Sequence, residues 1–226
     1  MTEDVVIASS KLGTKEYWDA HYQTELKNYE EFEDEGEVWF GASSENRIVN
    51  YVTTSKTDKN ARIIDLGCGN GSILRKLRRK GFRSLTGVDY SDSAVKLSSA
   101  ASEAEKEELE EPCEDILFER LDILAPSPEY QKCDFDMALD KGTWDAMSLS
   151  EDRDERAQGY IRFCLGLLRS GGRLVIMSCN FTEKELESRF HVPGTLHFTQ
   201  VIPASKTFSF GGKEGVTSAG AVFTKV

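Results

Sequence analysis

The chain has 226 residues, of which 39% are hydrophobic and 10% aromatic, enough for one α/β domain with a sizeable core. Its formal net charge of -11 disfavours tight binding to phosphate backbones and suits a basic protein partner, although many acidic proteins are merely soluble. No apolar run approaches the roughly 20 residues that a membrane span needs, and the acidic first residues are unlike a signal peptide.

The first 41 residues fall into two segments. Residues 1–10 show no periodic pattern, and we expect a flexible N-terminus there. In residues 11–41, Trp18, Tyr22 and Tyr29 share one helical stripe, which is followed by the aromatic turn 38–41. This aromatic density is unexpected for a loose tail, so we predict that residues 11–41 form an N-terminal lid over a ligand pocket.

From residue 61 onward, apolar residues alternate between strand-like and helix-like spacing. Predicted strands cover residues 61–66, 84–90, part of 115–124, 135–140, 173–179, 195–203 and 218–225. Predicted helices cover residues 71–80, from Ser91 or Asp92 to about 108, and 154–169, which Ser170–Gly172 ends. Such alternation predicts one domain, residues 11–226, built on a doubly wound, mostly parallel, seven-stranded sheet with helices on both faces.

Two charged segments have simple interpretations. The acidic stretch 103–111 is interpreted as a solvated helix end and loop. The basic residues between Arg75 and Lys80 raise the possibility of RNA binding, but cations at the end of a helix also complement its dipole. We therefore expect no nucleic-acid partner.

The cysteines and histidines argue against a disulfide-bonded secreted protein and against a metal-binding protein. The five cysteines are odd in number, scattered and without a CxxC pair, which is typical of reduced cytosolic thiols. We expect a cytoplasmic, monomeric protein that can also occur in the nucleus. The three histidines show no metal-ligand spacing, so no metal site is expected.

The glycine-rich turn after the first strand carries the most informative chemistry. Gly67, Gly69 and Gly71 let the backbone approach a ligand closely, yet the third glycine of a dinucleotide fingerprint would fall at Ser72. Asp65, before the turn, would repel a pyrophosphate and attract an ammonium group. Asp89 ends the second strand, where a carboxylate can accept both hydroxyls of a ribose. This pattern indicates S-adenosyl-L-methionine (SAM) rather than NAD.

These motifs resemble those of the class I, seven-β-strand methyltransferases. Residues 65–71 (DLGCGNG) are similar to motif I, and residues 88–91 (VDYS) to the acidic motif that follows it. The resemblance implies SAM as cofactor, with Asn70 and Tyr90 joining the glycines and Asp89 as contacts. Residues 121–124 (LDIL) resemble the adenine-contacting segment, which implies that Asp122 meets the adenine amino group beside Ile123. It also implies an antiparallel last strand.

A narrower resemblance extends over about residues 11–226. The motifs at residues 12–19 (LGTKEYWD), 36–41 (GEVWFG), 140–146 (DKGTWDA) and 208–212 (FSFGG) are similar to those of the methyltransferase-like protein 10 family. This resemblance implies methylation of a lysine of translation elongation factor 1-alpha. The acidic segment 103–114 departs from the family by its length and charge, which leaves the implied activity intact but can alter partner contacts.

The residues after the fourth strand constrain the acceptor only in part. Many methyltransferases that act on planar nitrogens carry an Asn/Asp-Pro-Pro-aromatic motif there, whereas this chain has Asp140–Thr143 (DKGT). A carboxylate near Trp39, Phe40 and Trp144 suits an ammonium group that must be held and partly desolvated. We therefore predict that Asp140 and Trp144 position the acceptor and that Asp140 and Trp39 also adjoin SAM. In the alternative interpretation, Asp140 caps the segment 142–148.

Two other functions remain open. The cofactor half of the fold does not specify the acceptor, so a small-molecule methyltransferase is one alternative. The other is a non-catalytic SAM-binding partner subunit, whose expected sign is erosion of the glycine turn or of Asp89. Both features are intact in this chain.

Overall fold

The structure is a computed structural model that describes residues 8–109, 112–130, 133–204, 208–210, 213–215 and 218–226. Within these residues, the α-helices are α1 (Lys15–Phe32), α2 (Gly41–Thr54), α3 (Ser72–Arg79), α4 (Asp92–Glu107), α5 (Thr143–Ser148), α6 (Arg153–Leu167) and α7 (Glu183–Phe190). The strands are β1 (Arg62–Leu66), β2 (Ser84–Asp89), β3 (Leu117–Arg120), β4 (Phe135–Lys141), β5 (Leu168–Ser178), β6 (Leu196–Val201), β7 (Phe208–Phe210), β8 (Lys213–Gly215) and β9 (Ala219–Lys225). Single 3-10 turns occupy Lys11–Gly13 and Pro128–Tyr130.

Seven of the strands form one sheet in the order β3-β2-β1-β4-β5-β9-β6. The pairs from β3 to β5 are parallel, and β9 lies between β5 and β6, antiparallel to both. The predicted Rossmann-like sheet with an antiparallel last strand is thereby confirmed. The connections from β1 to β2, from β2 to β3 and from β4 to β5 contain α-helices, whereas β3 is joined to β4 by a loop with a single 3-10 turn.

Alternating side chains of the central strands supply two apolar cores, one on each face of the sheet. Ile64 of β1 belongs to the core that α5, α6 and α7 cover. Its neighbour Ile63 belongs to the opposite core, which α2 and α3 cover. This period of two places helices on both faces, as predicted.

Several local features differ from the predictions. The segment Ser170–Gly172 was expected to be a turn, but it lies inside β5, where Gly171 has φ +75° and the pairing with β4 shifts register. A bulge of this kind accommodates the extra residues without ending the strand. Helices α2 and α7 and the hairpin of β7 and β8 were not predicted. In the motif 208–212, the last two residues lie outside the described part of the chain.

The acidic stretch contains the solvated end of α4, as predicted, except for one buried residue that pairs with the basic segment. Glu105 of α4 is buried and lies within 4 Å of the guanidinium groups of Arg75, Arg78 and Arg79. Lys76 pairs with Glu45 of α2. Residues 110 and 111 of the acidic stretch lie outside the described residues.

Among the described helices, none combines the length and the apolarity that crossing a bilayer would require.

Candidate functional site

A cavity of about 520 Å³ opens at the carboxyl ends of the parallel strands, under the N-terminal segment. Ligands of open α/β sheets bind at this edge, and pockets of roughly 300–1,000 Å³ are typical of small-molecule sites. The sheet contributes residues that follow β1, β2, β4 and β5, and the loop after β3 contributes more. The N-terminal segment contributes Leu12, Trp18, Tyr22, Trp39 and Phe40 among others.

The turn after β1 is held in a shape that only glycine permits at two positions. Gly67 and Gly69 have φ of +68° and +54°, and both line the cavity. A Cβ atom on Gly67 would lie 2.0 Å from Oγ1 of Thr143, and one on Gly69 would lie 2.4 Å from the Tyr22 hydroxyl. The turn thus leaves the backbone accessible beside Asn70, which also lines the cavity. Gly71 is the N-cap residue of α3 and is not part of the cavity wall.

Asp89 presents a buried carboxylate to the cavity at the end of β2. Its Oδ2 accepts a hydrogen bond from the Gly69 N–H at 3.2 Å, and its Oδ1 accepts one from the Ser91 N–H at 2.9 Å. Burial raises the pKa of Asp89 to about 6, and the backbone donors oppose that rise. The carboxylate is therefore positioned and mostly ionised at neutral pH, with oxygens available to hydroxyl donors.

The next loop forms the adjoining wall of the cavity. Asp122 is exposed, and its Oδ1 accepts a hydrogen bond from the Leu124 N–H at 2.9 Å, while Ile123 is buried beside it. Tyr90 also lines this part, with the Lys15 ammonium 5.1 Å from its ring centroid. These residues offer an apolar surface with a carboxylate at its rim, which suits a heteroaromatic base.

Asp65 does not line the cavity. It is buried behind the turn, where burial raises its pKa to about 7 and the positive charge of Lys141 opposes the rise. Lys141 itself reaches the cavity, and its Nζ donates to the Trp39 carbonyl at 2.9 Å. Asp65 therefore lies behind the cavity wall near Lys141, rather than in the direct contact with a ligand that the sequence predicted.

Asp140 and Trp144 are also placed away from the cavity, which corrects the prediction that they contact the acceptor. The Asp140 carboxylate is fully buried and accepts hydrogen bonds from the Thr143 N–H at 3.0 Å, the Trp144 N–H at 3.0 Å and the Tyr160 hydroxyl at 2.6 Å. Trp144 packs in the core against Tyr160 and Phe190. Asp140 therefore caps α5, as in the alternative interpretation, and cannot reach SAM without breaking these bonds.

The N-terminal segment that was predicted to be a lid lines the cavity and is held there by an aromatic cluster and polar links. The rings of Trp18 and Trp39 meet edge to face at 4.7 Å between centroids, and the Trp18 indole N–H donates to the Leu12 carbonyl at 2.7 Å. Glu35 forms a bidentate ion pair with Arg75, and its carbonyl accepts a hydrogen bond from the Asn70 side chain at 3.1 Å. These contacts join the lid directly to the glycine turn and to α3.

Several residues of the cavity wall were not predicted from the sequence, among them Lys141, Asp145 and the Cys179–Asn180 pair. Asp145 belongs to the same motif as Asp140, but the sequence alone does not show which aspartate faces a ligand. Its Oδ2 accepts from the Cys179 N–H at 2.8 Å, and its Oδ1 accepts from the Ser178 hydroxyl. Among the described residues, no group of three or more histidine, cysteine or acidic side chains could hold a metal ion.

Comparison with known proteins adds to this geometry. A family model described as a methyltransferase domain matches residues 57–205. EEF1A lysine methyltransferase 2 of Danio rerio is 39% identical to this chain. The match covers 98% of this chain and 91% of the Danio rerio protein. The Mus musculus protein of the same name is 41% identical over 96% of this chain and 84% of its own length. Protein-lysine N-methyltransferase EFM4 of Saccharomyces cerevisiae is 33% identical over 97% of this chain and 96% of its own length.

Solved structures with the same fold also include proteins with the cofactor bound. The N-methyltransferase NodS of Bradyrhizobium japonicum, in complex with S-adenosyl-L-homocysteine, superposes with a TM-score of 0.63 over 92% of this chain and 98% of its own. Magnesium protoporphyrin IX methyltransferase of Synechocystis, with bound SAM, superposes with a TM-score of 0.63. The superposition covers 97% of this chain and 100% of that protein's chain. Both are at most 15% identical to this chain, so the likeness concerns the fold alone.

Proposed function

The chain belongs to the class I SAM-dependent methyltransferases, in the family of methyltransferase-like protein 10, and from this premise we propose that it methylates a lysine of translation elongation factor 1-alpha. The main support for this substrate is that relatives at 33–41% identity, matched over nearly the whole chain, are named lysine methyltransferases of that factor or protein-lysine N-methyltransferases. The acidic net charge of -11 suits a basic protein acceptor.

The cavity residues fit SAM as cofactor. Asp89 would accept hydrogen bonds from the ribose hydroxyls, and Asp122 with Ile123 would meet the adenine. The backbone of the glycine turn lies where the methionine part would approach, and Lys141 offers a positive charge to its carboxylate. SAM supplies a methyl group that is already activated on a sulfonium, so the protein mainly aligns the reactants.

The acceptor nitrogen must be a neutral amine when it attacks the methyl group. For a lysine side chain with the ordinary pKa of about 10.4, deprotonation at pH 7 costs roughly 4.6 kcal/mol. The aromatic side chains of Trp18, Trp39 and Phe40 line the cavity. By excluding water from the acceptor, they would lower its pKa and the cost of deprotonation.

An acceptor panel tests this function against the two alternatives. Methyl-labelled SAM is incubated with the protein and, separately, unmethylated elongation factor 1-alpha, a mixture of small-molecule amines, or no acceptor. Label on the elongation factor supports the proposal. Label only on small molecules would favour a small-molecule methyltransferase, and no transfer despite SAM binding would favour the non-catalytic subunit. The intact glycine turn and Asp89 speak against the last outcome.

We propose further that the protein acts as a monomer in the cytoplasm. The five cysteines are all free thiols, as is usual in a reducing compartment. Translation elongation takes place in the same compartment.

A further inference from the structure

Two buried carboxylates line the cavity, those of Asp89 and Asp145. Asp89 lies at the end of β2 and is accounted for by the cofactor ribose. Asp145 belongs to α5 and lies next to the residues that follow β5. Its side of the cavity is shared with Ala146, Cys179 and Asn180, none of which is needed to explain cofactor binding. A carboxylate that is only 4% exposed and faces a cavity needs a partner for its charge.

The hydrogen bonds around Asp145 determine its charge state. The Ser178 oxygen accepts hydrogen bonds from the Asn180 N–H at 3.2 Å and the Phe181 N–H at 3.1 Å. Because these donors occupy its lone pairs, the Ser178 hydroxyl proton points to Asp145. The Cys179 N–H donates to the other oxygen of Asp145 at 2.8 Å. Donors on both oxygens favour the ionised carboxylate and oppose the rise in the pKa of Asp145 that burial causes.

Within the described residues, Asp145 forms no ion pair, as is also true of Asp89 and Asp140, whereas three other buried acids have cationic neighbours. Glu105 is surrounded by arginines, Glu45 pairs with Lys76, and Asp65 lies near Lys141. The cavity wall also contains Lys141, Arg156 and Arg162, but none of them forms an ion pair with Asp145, so this side of the cavity presents a carboxylate without a salt-bridge partner among the described residues. An alkylammonium group that enters from the solvent would supply that partner.

We propose that Asp145 binds the ammonium group of the acceptor lysine and thereby selects a cationic alkylamine over neutral acceptors. The proposal rests on the lysine methyltransferase function proposed above and names the residue of that site that recognises the substrate. Asp145 attracts the lysine and sets its direction, and it is not the base, since an adjacent carboxylate favours the protonated amine. The ammonium proton passes to solvent water while the cavity is still open. The neutral amine then attacks the methyl carbon as the bond from that carbon to the sulfonium sulfur breaks, which leaves S-adenosyl-L-homocysteine and a methylated ammonium group.

A binding measurement tests this proposal without relying on the identity of the protein substrate. The protein is saturated with S-adenosyl-L-homocysteine and titrated at neutral pH with n-butylammonium, a mimic of the lysine side chain, or with neutral n-butanol. We expect the wild type to bind the ammonium more tightly than the alcohol. The Asp145→Asn variant should bind the ammonium at least about 10-fold more weakly and lose the preference, because one partner of a buried charge pair is removed.

Two further variants separate recognition from structural and long-range effects. Asp154→Asn, at an exposed position in the first turn of α6, removes the same charge and should leave the preference unchanged. Ser178→Ala removes a hydrogen bond to Asp145 but not its charge, so it should lower the melting temperature and retain the preference. Wild-type protein without a preference for the ammonium, or Asp145→Asn protein that keeps it, would overturn the proposal.

The outcomes also separate this proposal from the proposed function. If the elongation factor is not methylated but n-butylammonium binding depends on Asp145, the substrate is wrong and the recognition site stands. If the factor is methylated equally well by wild type and Asp145→Asn, the function stands and the role of Asp145 is wrong. Asp145→Asn could fail to bind S-adenosyl-L-homocysteine, and the test then uses the wild type and Ser178→Ala. Both proteins should prefer n-butylammonium over n-butanol, and loss of the preference in either one contradicts the proposal.

Discussion

At the scale of single residues, the pKa of Asp89 makes cofactor binding pH-dependent. Burial raises that pKa to about 6. The ribose hydroxyls need the ionised carboxylate as acceptor, so SAM affinity should be level above about pH 7 and fall as the pH decreases through 6. Calorimetric titration of SAM across this range measures the effect.

The variant Asp89→Ala separates this effect from other titrating groups. Loss of the charged acceptor should weaken SAM binding at least about 10-fold at neutral pH, since hydrogen bonds to charged groups contribute roughly 1.5–3 kcal/mol. The ratio of wild-type to variant affinity should shrink as the pH falls through 6. An unchanged affinity in a folded Asp89→Ala variant would refute the ribose assignment.

Asp140 contributes to the free energy of unfolding rather than to direct ligand contact. Its two oxygens accept from two backbone N–H groups and from the Tyr160 hydroxyl, and asparagine offers only one oxygen. Asp140→Asn should therefore lower the free energy of unfolding by about 1–3 kcal/mol, which is several degrees in melting temperature. SAM affinity and turnover should fall together with it, since the loop before α5 loses its cap.

The pH dependence of that stability loss has a definite sign. Burial raises the pKa of Asp140 to about 7, so between the unfolded pKa of about 4 and pH 7 the folded protein holds a proton that the unfolded chain has lost. The stabilising contribution of Asp140 therefore decreases as the pH rises through this range. Thermal or urea unfolding should show the gap between wild type and Asp140→Asn narrowing from about pH 5 to pH 7. A gap that widens would contradict this account.

The residue scale also shows where sequence reasoning succeeds and fails. The glycine turn and Asp89 could be located because their chemistry depends on local backbone geometry at a strand end. The choice between Asp140 and Asp145 could not be made, since it depends on how α5 is turned against the sheet. That orientation is set by the packing of Trp144 against Tyr160 and Phe190, which are distant in sequence.

At the scale of secondary-structure elements, the N-terminal lid depends on few polar links to the body of the domain. Glu35 provides two of them, through its carboxylate to Arg75 and its carbonyl to Asn70. We expect Glu35→Ala to weaken SAM binding several-fold, because the lid then closes the cavity less often. SAM affinity measured by calorimetry tests this.

A matched control for the lid variant lies four residues away. Glu31 has a side chain that is 49% exposed, close to the 46% of Glu35, and it pairs only loosely with Lys27 at 3.6 Å. Glu31→Ala should leave SAM affinity within about twofold of wild type, as exposed pairs contribute little. Equal affinities in both variants would show that the Glu35 links do not hold the lid closed.

Elements differ in how well their patterns predict them. The parallel strands were located because buried strands read as short apolar runs. Helix α2 was missed because its buried apolar residues Ile48, Val49 and Val52 lie in its second half. Its first half carries Ser44 and Glu45, polar residues that only the tertiary structure shows to be buried. β5 was predicted too short because a bulge at Gly171 continues the strand through a sequence that is typical of a turn.

At the scale of the whole molecule, charge pairing removes the basic patch that the sequence suggested. Arg75, Arg78 and Arg79 lie against Glu105, Lys76 pairs with Glu45, and the net charge is -11. We therefore expect no binding of an RNA oligonucleotide at about 0.15 M salt, where screening leaves only local attraction. Fluorescence anisotropy of a labelled oligonucleotide measures this, and saturable binding that weakens steeply with salt would contradict it.

The whole molecule brings a SAM site and a carboxylate for an alkylammonium group into one cavity, and mass spectrometry of a modified substrate tests that combination most directly. Unmethylated elongation factor 1-alpha is incubated with the protein and SAM that carries a trideuterated methyl group, and the digested factor is mapped. We expect the deuterated methyl group on a lysine Nζ with the wild type and a strong reduction of it with Asp89→Ala. Transfer to a different kind of side chain, or no transfer by a protein that binds SAM, would contradict it.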